Sequence, residues 1–127
     1  DGATIKITPK PGVRVIQKET AEEVTRMLVE VVDKAISKNH PSIKMAHYSI
    51  AAKTGTAQIA DHENGGYYTD RYLHSFFGYF PAYSPRFIVF LYQVYPKGAQ
   101  YASETLTDPF TEHTKFLINY YEIPPDR

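Results

Sequence analysis

Beyond Thr20 the chain repeats its apolar residues at helical spacing. Ala21, Val24, Met27, Leu28, Val31, Ala35 and Ile36 form one stripe, while Glu22, Glu23, Arg26, Glu30 and Lys34 take the other side. Thr20 followed three residues later by Glu23 has the form of a capping box, so a helix is predicted to open there. The polar side carries both signs, which makes the stripe a packing surface for a core rather than a membrane face. Asn39-His40-Pro41 breaks the pattern, and residues 37–46 read as a loop. Residues 49–59 are mostly small or β-branched and contain no proline, which suits a strand. A polar loop with Gly65-Gly66 follows, and residues 72–80 and 86–95 read as two more strands around Pro81-Ala82-Tyr83-Ser84-Pro85. So tight a connection predicts antiparallel pairing, and the second of these strands, apolar on both sides apart from Gln93, calls for cover on both faces. Asp108 as cap and Pro109 at the first helical position predict a final helix that turns Phe110, Thr114, Leu117 and Tyr121 to one side and ends at Pro124-Pro125. Residues 1–17, with Pro9, Pro11 and short alternations at Ile5/Ile7 and Val13/Val15, read as an extended connecting segment with room for a short edge strand. The predicted fold class is α+β: an antiparallel sheet of about three strands, the strand of Lys53 at one edge, with an N-terminal and a C-terminal helix packed on it.

Composition narrows the partners rather than the fold. A chain of 127 residues suffices for a single domain, residues 1–127, with a core. The formal net charge is zero, so nothing favours nucleic acid, and Lys10, Arg14 and Lys18 read as solvated surface. There is no cysteine, which excludes disulfides and thiolate metal sites. No apolar run approaches the roughly 20 residues of a membrane span, and the Asp1-Gly2 start suggests an excised or processed piece. Asp61, His62 and Glu63 are consecutive on a loop and match no zinc spacing, so they read as surface, and neither a metal nor a cofactor is expected.

The remaining chemistry gathers in Ala51-Ala52-Lys53-Thr54-Gly55-Thr56-Ala57-Gln58. A cation, two hydroxyls and a glycine stand among small residues, so backbone and polar side chains can approach an anion closely. Glycine inside a strand marks such close approach by a ligand or another backbone. A phosphate-cradling Walker loop is excluded, because the glycines it needs before the Lys-Thr pair are absent. Read alone, the tetrapeptide is equally a half-exposed strand with a solvated lysine.

Its context is more specific. A helix reading Val-Ile-Gln-Lys-Glu-Thr-Ala-Glu-Glu-Val precedes Ala-Ala-Lys-Thr-Gly-Thr-Ala-Gln. Then come Gly65-Gly66-Tyr67, Ser75-Phe76-Phe77-Gly78-Tyr79-Phe80-Pro81-Ala82, Pro85-Arg86-Phe87-Ile88-Val89 and a last helix closing on Ile123-Pro124-Pro125-Asp126. In this order, from about Val13 onward, the chain resembles the C-terminal part of a penicillin-binding protein transpeptidase domain of the class B, monofunctional kind. The resemblance implies a partial penicillin-binding/β-lactamase-like fold and, for the intact parent, a bacterial peptidoglycan D,D-transpeptidase. In that chemistry a serine attacks the D-alanyl-D-alanine carbonyl of a stem peptide, and β-lactams acylate the same serine. Of the three motifs that cooperate, Ser-x-x-Lys, Ser-x-Asn and Lys-Thr-Gly, this chain carries the third. It has no Ser-x-x-Lys, and Ser37-Lys38-Asn39 lies too near Lys53 to be the second. The resemblance therefore implies a partner in the missing N-terminal part of the domain, no acylation by this piece alone, and a membrane-anchored parent on the outer face of the cytoplasmic membrane. Carried over by residue, Lys53 supplies positive potential beside the second motif, Thr54 binds the substrate carboxylate through its hydroxyl, Gly55 keeps the strand edge clear, and the Thr56 backbone N–H helps form the oxyanion hole. Strict alternation would put Lys53 and Thr54 on opposite faces, a tension that an edge strand relieves in part. Two departures stand out: Ala52 where glycine is common, and Tyr101-Ala102-Ser103-Glu104-Thr105-Leu106 in place of a glycine- and alanine-rich approach to the last helix. The open edge of the strand at residues 87–94 is expected to pair with a second copy, with residues 5–15, or with the absent N-terminal piece. The alternative function is a non-catalytic sheet module that binds a peptide or partner by strand addition, and the plainest reading is a structural remnant.

Overall fold

A computed structural model describes residue 8 and residues 12–127; the alternation at Ile5 and Ile7 and the prolines at 9 and 11 lie outside the described residues. Residues 12–17 form neither helix nor strand, and Val13 and Val15 stand exposed. Helix α1 (Lys18–Glu30) opens two residues before the predicted start, with extended Gln17 as its N-cap. Thr20 and Glu23 form no capping box: Glu23 pairs instead with Arg26, and the straight-chain Lys18 and Glu19 extend the helix without strain. The helix runs on through a π-helical segment, Val31–Ile36.

Strand β1 (Ala51–Ala60) pairs antiparallel with β2 (Tyr67–Phe80), which pairs antiparallel with β3 (Phe87–Val94). The order β1-β2-β3 leaves the Lys53 strand at an edge, as the element order and the resemblance predicted. Strand β2 begins five residues earlier than predicted, because the preceding loop closes into a tight turn. There the Asp61 carboxylate accepts the backbone N–H groups of Glu63 and Asn64, and Gly65 and Gly66 supply the positive φ angles.

Helix α2 (Ala102–Tyr120) begins six residues before Asp108, so Pro109 lies inside it and not at its first position. The start is fixed by Glu104, whose carboxylate accepts the N–H groups of Gln100 (3.0 Å) and Tyr101 (2.7 Å). Inside the helix Pro109 costs one backbone hydrogen bond.

The core lies between α2 and one face of the sheet. Phe76 and Phe110 stack with centroids 4.5 Å apart, both fully buried, and Phe80, Val32, Ile36 and Ile118 join them. Gly78 lets the Phe110 ring lie against the strand: a Cβ there would stand 2.8 Å from Phe110 Cε2 and 2.9 Å from Ala52 Cβ. On the opposite face Leu28 and Val29 of α1 pack on Ala51 and Tyr79, and the Thr25 and Tyr79 hydroxyls meet at 2.8 Å. Ala51 and Ala52 are thus buried on opposite sides, one beneath each helix, which explains why both are small. The inward stripe of the first helix is rotated from the predicted one. Val29 and Val32 are buried while Val24 and Met27 are exposed, because the apolar arc of this helix is wider than the face the sheet covers and spacing alone does not choose which part is buried. The cover expected on both sides of β3 is also missing from one of them. Phe87, Val89 and Leu91 pack on the core, but Ile88, Phe90, Tyr92 and Val94 are 58–68% exposed.

Candidate functional site

Lys53, Thr54, Gly55 and Thr56 occupy the stretch of β1 just past the buried alanine pair, where the strand leaves the cover of both helices. Register decides which way each points, since directly opposed residues of an antiparallel pair share a face. Thr54 opposes the buried Phe76 and so faces α2; Lys53 opposes Phe77, on the face that carries Phe90 and Tyr92. Alternation therefore holds, yet both residues line one groove of about 310 Å³ that runs along the β1 edge. The other wall is made by Asn39 and His40 from the loop after the π segment and by Ser103 from the start of α2, over an apolar floor that includes Ile36. The exposed Lys53 ammonium donates to the Thr54 carbonyl at 2.8 Å.

Gly55 opposes Ser75, whose hydroxyl donates to the Gly55 carbonyl at 3.4 Å; a Cβ on Gly55 would stand 2.5 Å from that oxygen. The glycine thus answers a close approach from the neighbouring strand as well as an open outer edge. Thr56 opposes His74, and its Oγ1 accepts the Ala102 N–H at 3.0 Å, tying β1 to the first residue of α2.

Other sequence candidates fall elsewhere. Ser37 turns its hydroxyl back onto its own helix, donating to the Asp33 carbonyl at 2.7 Å, while Asn39 reaches the groove. Asp61 is committed to its turn, with the Asn64 side-chain amide donating to it at 3.0 Å. Among the described residues no three His, Asp or Glu side chains converge as metal ligands, and no helix is long and apolar enough to cross a membrane. Sequence reasoning did not find His40, which lies 3.7 Å from Asp108, or Ser103; neither belongs to a motif, and only the fold brings them beside Thr54. A larger cleft, about 550 Å³, lies between α1 and the turn after β2. Four of its charged residues are engaged in pairs, Lys18–Glu22 at 3.5 Å and Arg26–Glu23.

Comparison with known proteins gives a consistent set of likenesses. The family model for the penicillin binding protein transpeptidase domain matches residues 4–113. Penicillin-binding protein PbpB of Mycolicibacterium smegmatis is 31% identical over 98% of this chain and 20% of its own length. Peptidoglycan D,D-transpeptidase FtsI of Buchnera aphidicola is 30% identical over 89% of this chain and 19% of its own. The chain thus spans about a fifth of the length of these relatives. Among solved structures, penicillin binding protein 3 from Mycobacterium tuberculosis complexed with ampicillin superposes with a TM-score of 0.76 at 26% identity, covering 95% of this chain and 28% of that one. The TP domain of Burkholderia pseudomallei penicillin-binding protein 3 gives 0.74 at 27% identity, covering 98% and 37%.

Proposed function

This chain belongs to the penicillin-binding protein transpeptidase domain family, and from that premise we propose that it is the C-terminal portion, residues 1–127, of a class B peptidoglycan D,D-transpeptidase, contributing the strand that grips the substrate's terminal carboxylate. The observation that carries the reading is the edge position of β1, with Lys53 and Thr54 on one groove although they point to opposite faces. A peptide laid along that edge meets the ammonium from one side and the hydroxyl from the other. In the proposed reaction the Thr54 hydroxyl donates to the carboxylate of D-alanyl-D-alanine, and Lys53 supplies the compensating positive charge. Gly55 leaves the edge clear, and the Thr56 backbone N–H donates to the oxyanion as the carbonyl becomes tetrahedral. One such donor contributes about 3 kcal/mol to the transition state. The attacking serine belongs to polypeptide N-terminal to this chain, and the parent is anchored at the outer face of the bacterial cytoplasmic membrane.

The sheet face of Phe77, Ile88, Phe90, Tyr92 and Val94 supports the same reading. It is apolar, exposed and continuous with Lys53, and the N-terminal part of the domain would cover it and bring the serine to the lysine. The test is acylation by a fluorescent penicillin. The chain alone forms no covalent adduct. Mixed with a separately produced N-terminal piece bearing Ser-x-x-Lys, it restores labelling, and Lys53→Ala or Thr54→Val lowers that labelling at least tenfold. A serine adduct on the chain alone, or labelling indifferent to both substitutions, overturns the reading. The unpaired edge of β1 also favours a second one, a module that adds any extended peptide as a strand. Binding of peptides without D-alanine ends, unchanged in Thr54→Val, would select it.

A further inference from the structure

His74 is a fully buried histidine that the proposed chemistry does not use. It lies on β2 directly opposite Thr56, on the face turned toward α2. Its Nε2 lies 3.1 Å from the Gln100 carbonyl and its Nδ1 lies 2.8 Å from the Thr105 hydroxyl. A carbonyl only accepts, so Nε2 carries the proton and donates; in the neutral ring Nδ1 accepts from Thr105. The two bonds fasten both sides of the turn into α2: Gln100 just before the helix and Thr105 in its first turn. Glu104 holds the N–H groups of Gln100 and Tyr101 from within the same turn, and the next N–H, that of Ala102, donates to Thr56 Oγ1 at 3.0 Å. A chain of bonds therefore runs from the buried imidazole through residues 100–105 to the side chain of Thr56. His74, Glu104 and Thr105 give this entry a fixed shape where glycine and alanine were expected.

We propose that His74 is a positioning residue. By locking residues 100–105 it sets the Ala102 N–H against Thr56 and so holds Thr56 and the groove wall at Ser103 in place for a ligand on the β1 edge. The inference rests on the assignment of Thr56 to the site, but its physical content is testable apart from that assignment. Backbone amide exchange of the whole 127-residue chain, followed residue by residue, is the measurement. His74→Leu removes both bonds; exchange at residues 100–102, whose N–H groups are held by Glu104 and by Thr56 Oγ1, then rises about tenfold, while the core amides of Phe76 and Phe80 keep their rates. His74→Gln, which can still donate to one partner and accept from the other, restores most of the protection. Thr105→Val, nearly isosteric, removes the bond to Nδ1 together with the long 3.5 Å contact of the hydroxyl with the Ala102 carbonyl but spares the Nε2 bond to Gln100, and gives a smaller rise at the same amides, which keeps the idea testable if His74→Leu does not fold. Unchanged exchange at Ala102 in Thr105→Val and His74→Leu, a uniform rise across the core, or no rescue by glutamine would overturn the proposal. The carboxylate reading is judged separately, by the penicillin labelling of Lys53→Ala and Thr54→Val, so either claim can fail without the other.

Discussion

Gly78→Ala places one methyl group where the fold has no room for it. The new Cβ would stand 2.8 Å from Phe110 Cε2 and 2.9 Å from Ala52 Cβ, and nearer still to Phe110 Cζ. None of these neighbours yields easily. The Phe110 ring is fully buried and stacked on Phe76, and Ala52 is a short side chain fixed by its own strand. Relief must come from moving α2 away from the sheet, and overpacking of this kind costs about 1–3 kcal/mol. Against this, replacing glycine by alanine within a strand returns roughly 0.5–1 kcal/mol of backbone entropy. The net destabilisation expected is therefore about 0.5–2 kcal/mol, or a urea midpoint lowered by about 0.25–1 M if the slope is near 2 kcal/mol/M. Equilibrium urea unfolding followed by tyrosine fluorescence measures it. Phe110→Leu, which shrinks the opposing ring, destabilises on its own but makes room for the methyl. The double variant should then be more stable than the sum of the two losses predicts, by at least about 0.5 kcal/mol. Strict additivity, or a Gly78→Ala protein as stable as the parent, would refute the account of this glycine as a close-approach site.

Three further outcomes follow from individual contacts. Asp126 accepts both the backbone N–H (2.7 Å) and the hydroxyl of the buried Ser49, four residues before Lys53, so Asp126→Ala should cost about 1–3 kcal/mol in urea unfolding. Lys53→Ala, by contrast, should change stability by no more than about 0.5 kcal/mol, since the side chain is exposed and, among the described residues, its ammonium bonds only the next residue's carbonyl; that outcome lets its loss of labelling be read as chemistry. The Asn64 side-chain amide, followed by the Asn64 and Glu63 N–H groups, holds the Asp61 carboxyl below the usual carboxylate range. Its folded value is depressed, so whatever it adds to the turn is present above the unfolded value and lost as pH falls through the folded one. An NMR titration of Asp61 checks this, and Asn64→Ala should move the midpoint upward.

The hairpin was legible in the residues because each of its signals is local: small and β-branched residues without proline along β1, a glycine pair at the turn, bulky strands around a proline-bounded bend. The start of α2 was not. Asp108-Pro109 carries the local mark of a helix opening, but Glu104 caps the helix through backbone N–H groups of residues 100 and 101, and His74 secures the same turn from a strand almost thirty residues away in sequence. The Glu104 bonds are local, at capping-box spacing from Tyr101, but tyrosine is not a residue that marks an N-cap, and the His74 contact is tertiary and has no sequence spacing to betray it. The face of α1 was obscured for a different reason. Val24, Met27, Leu28, Val29, Val31 and Val32 spread over an arc wider than the face the sheet covers, and Ala51 and Tyr79 choose which part of it is buried only once the sheet exists. The groove wall at Asn39, His40 and Ser103 likewise joins segments that share no motif.

The opposed directions of Lys53 and Thr54, which counted against a shared site when only the sequence was read, become on the proposed reading the reason that an edge is required. In a central strand the ammonium and the hydroxyl would be separated by the full thickness of the sheet, and a ligand could reach only one of them. At the edge no further strand of the described residues intervenes, so an extended chain lying beside β1 can accept from Thr54 on the α2 side while the Lys53 charge acts from the side of Phe77 and Phe90. The same geometry assigns different supports to the two halves of the grip. The hydroxyl depends on α2 remaining seated through Gly78, Phe110 and the His74 bonds; the lysine depends on whatever covers the aromatic face beside it. Loosening α2 should therefore weaken carboxylate recognition in the isolated chain. The contribution of Lys53 should emerge fully only when the exposed face of Ile88, Phe90, Tyr92 and Val94 is buried, because a charge in a desolvated site acts far more strongly than the same charge in water.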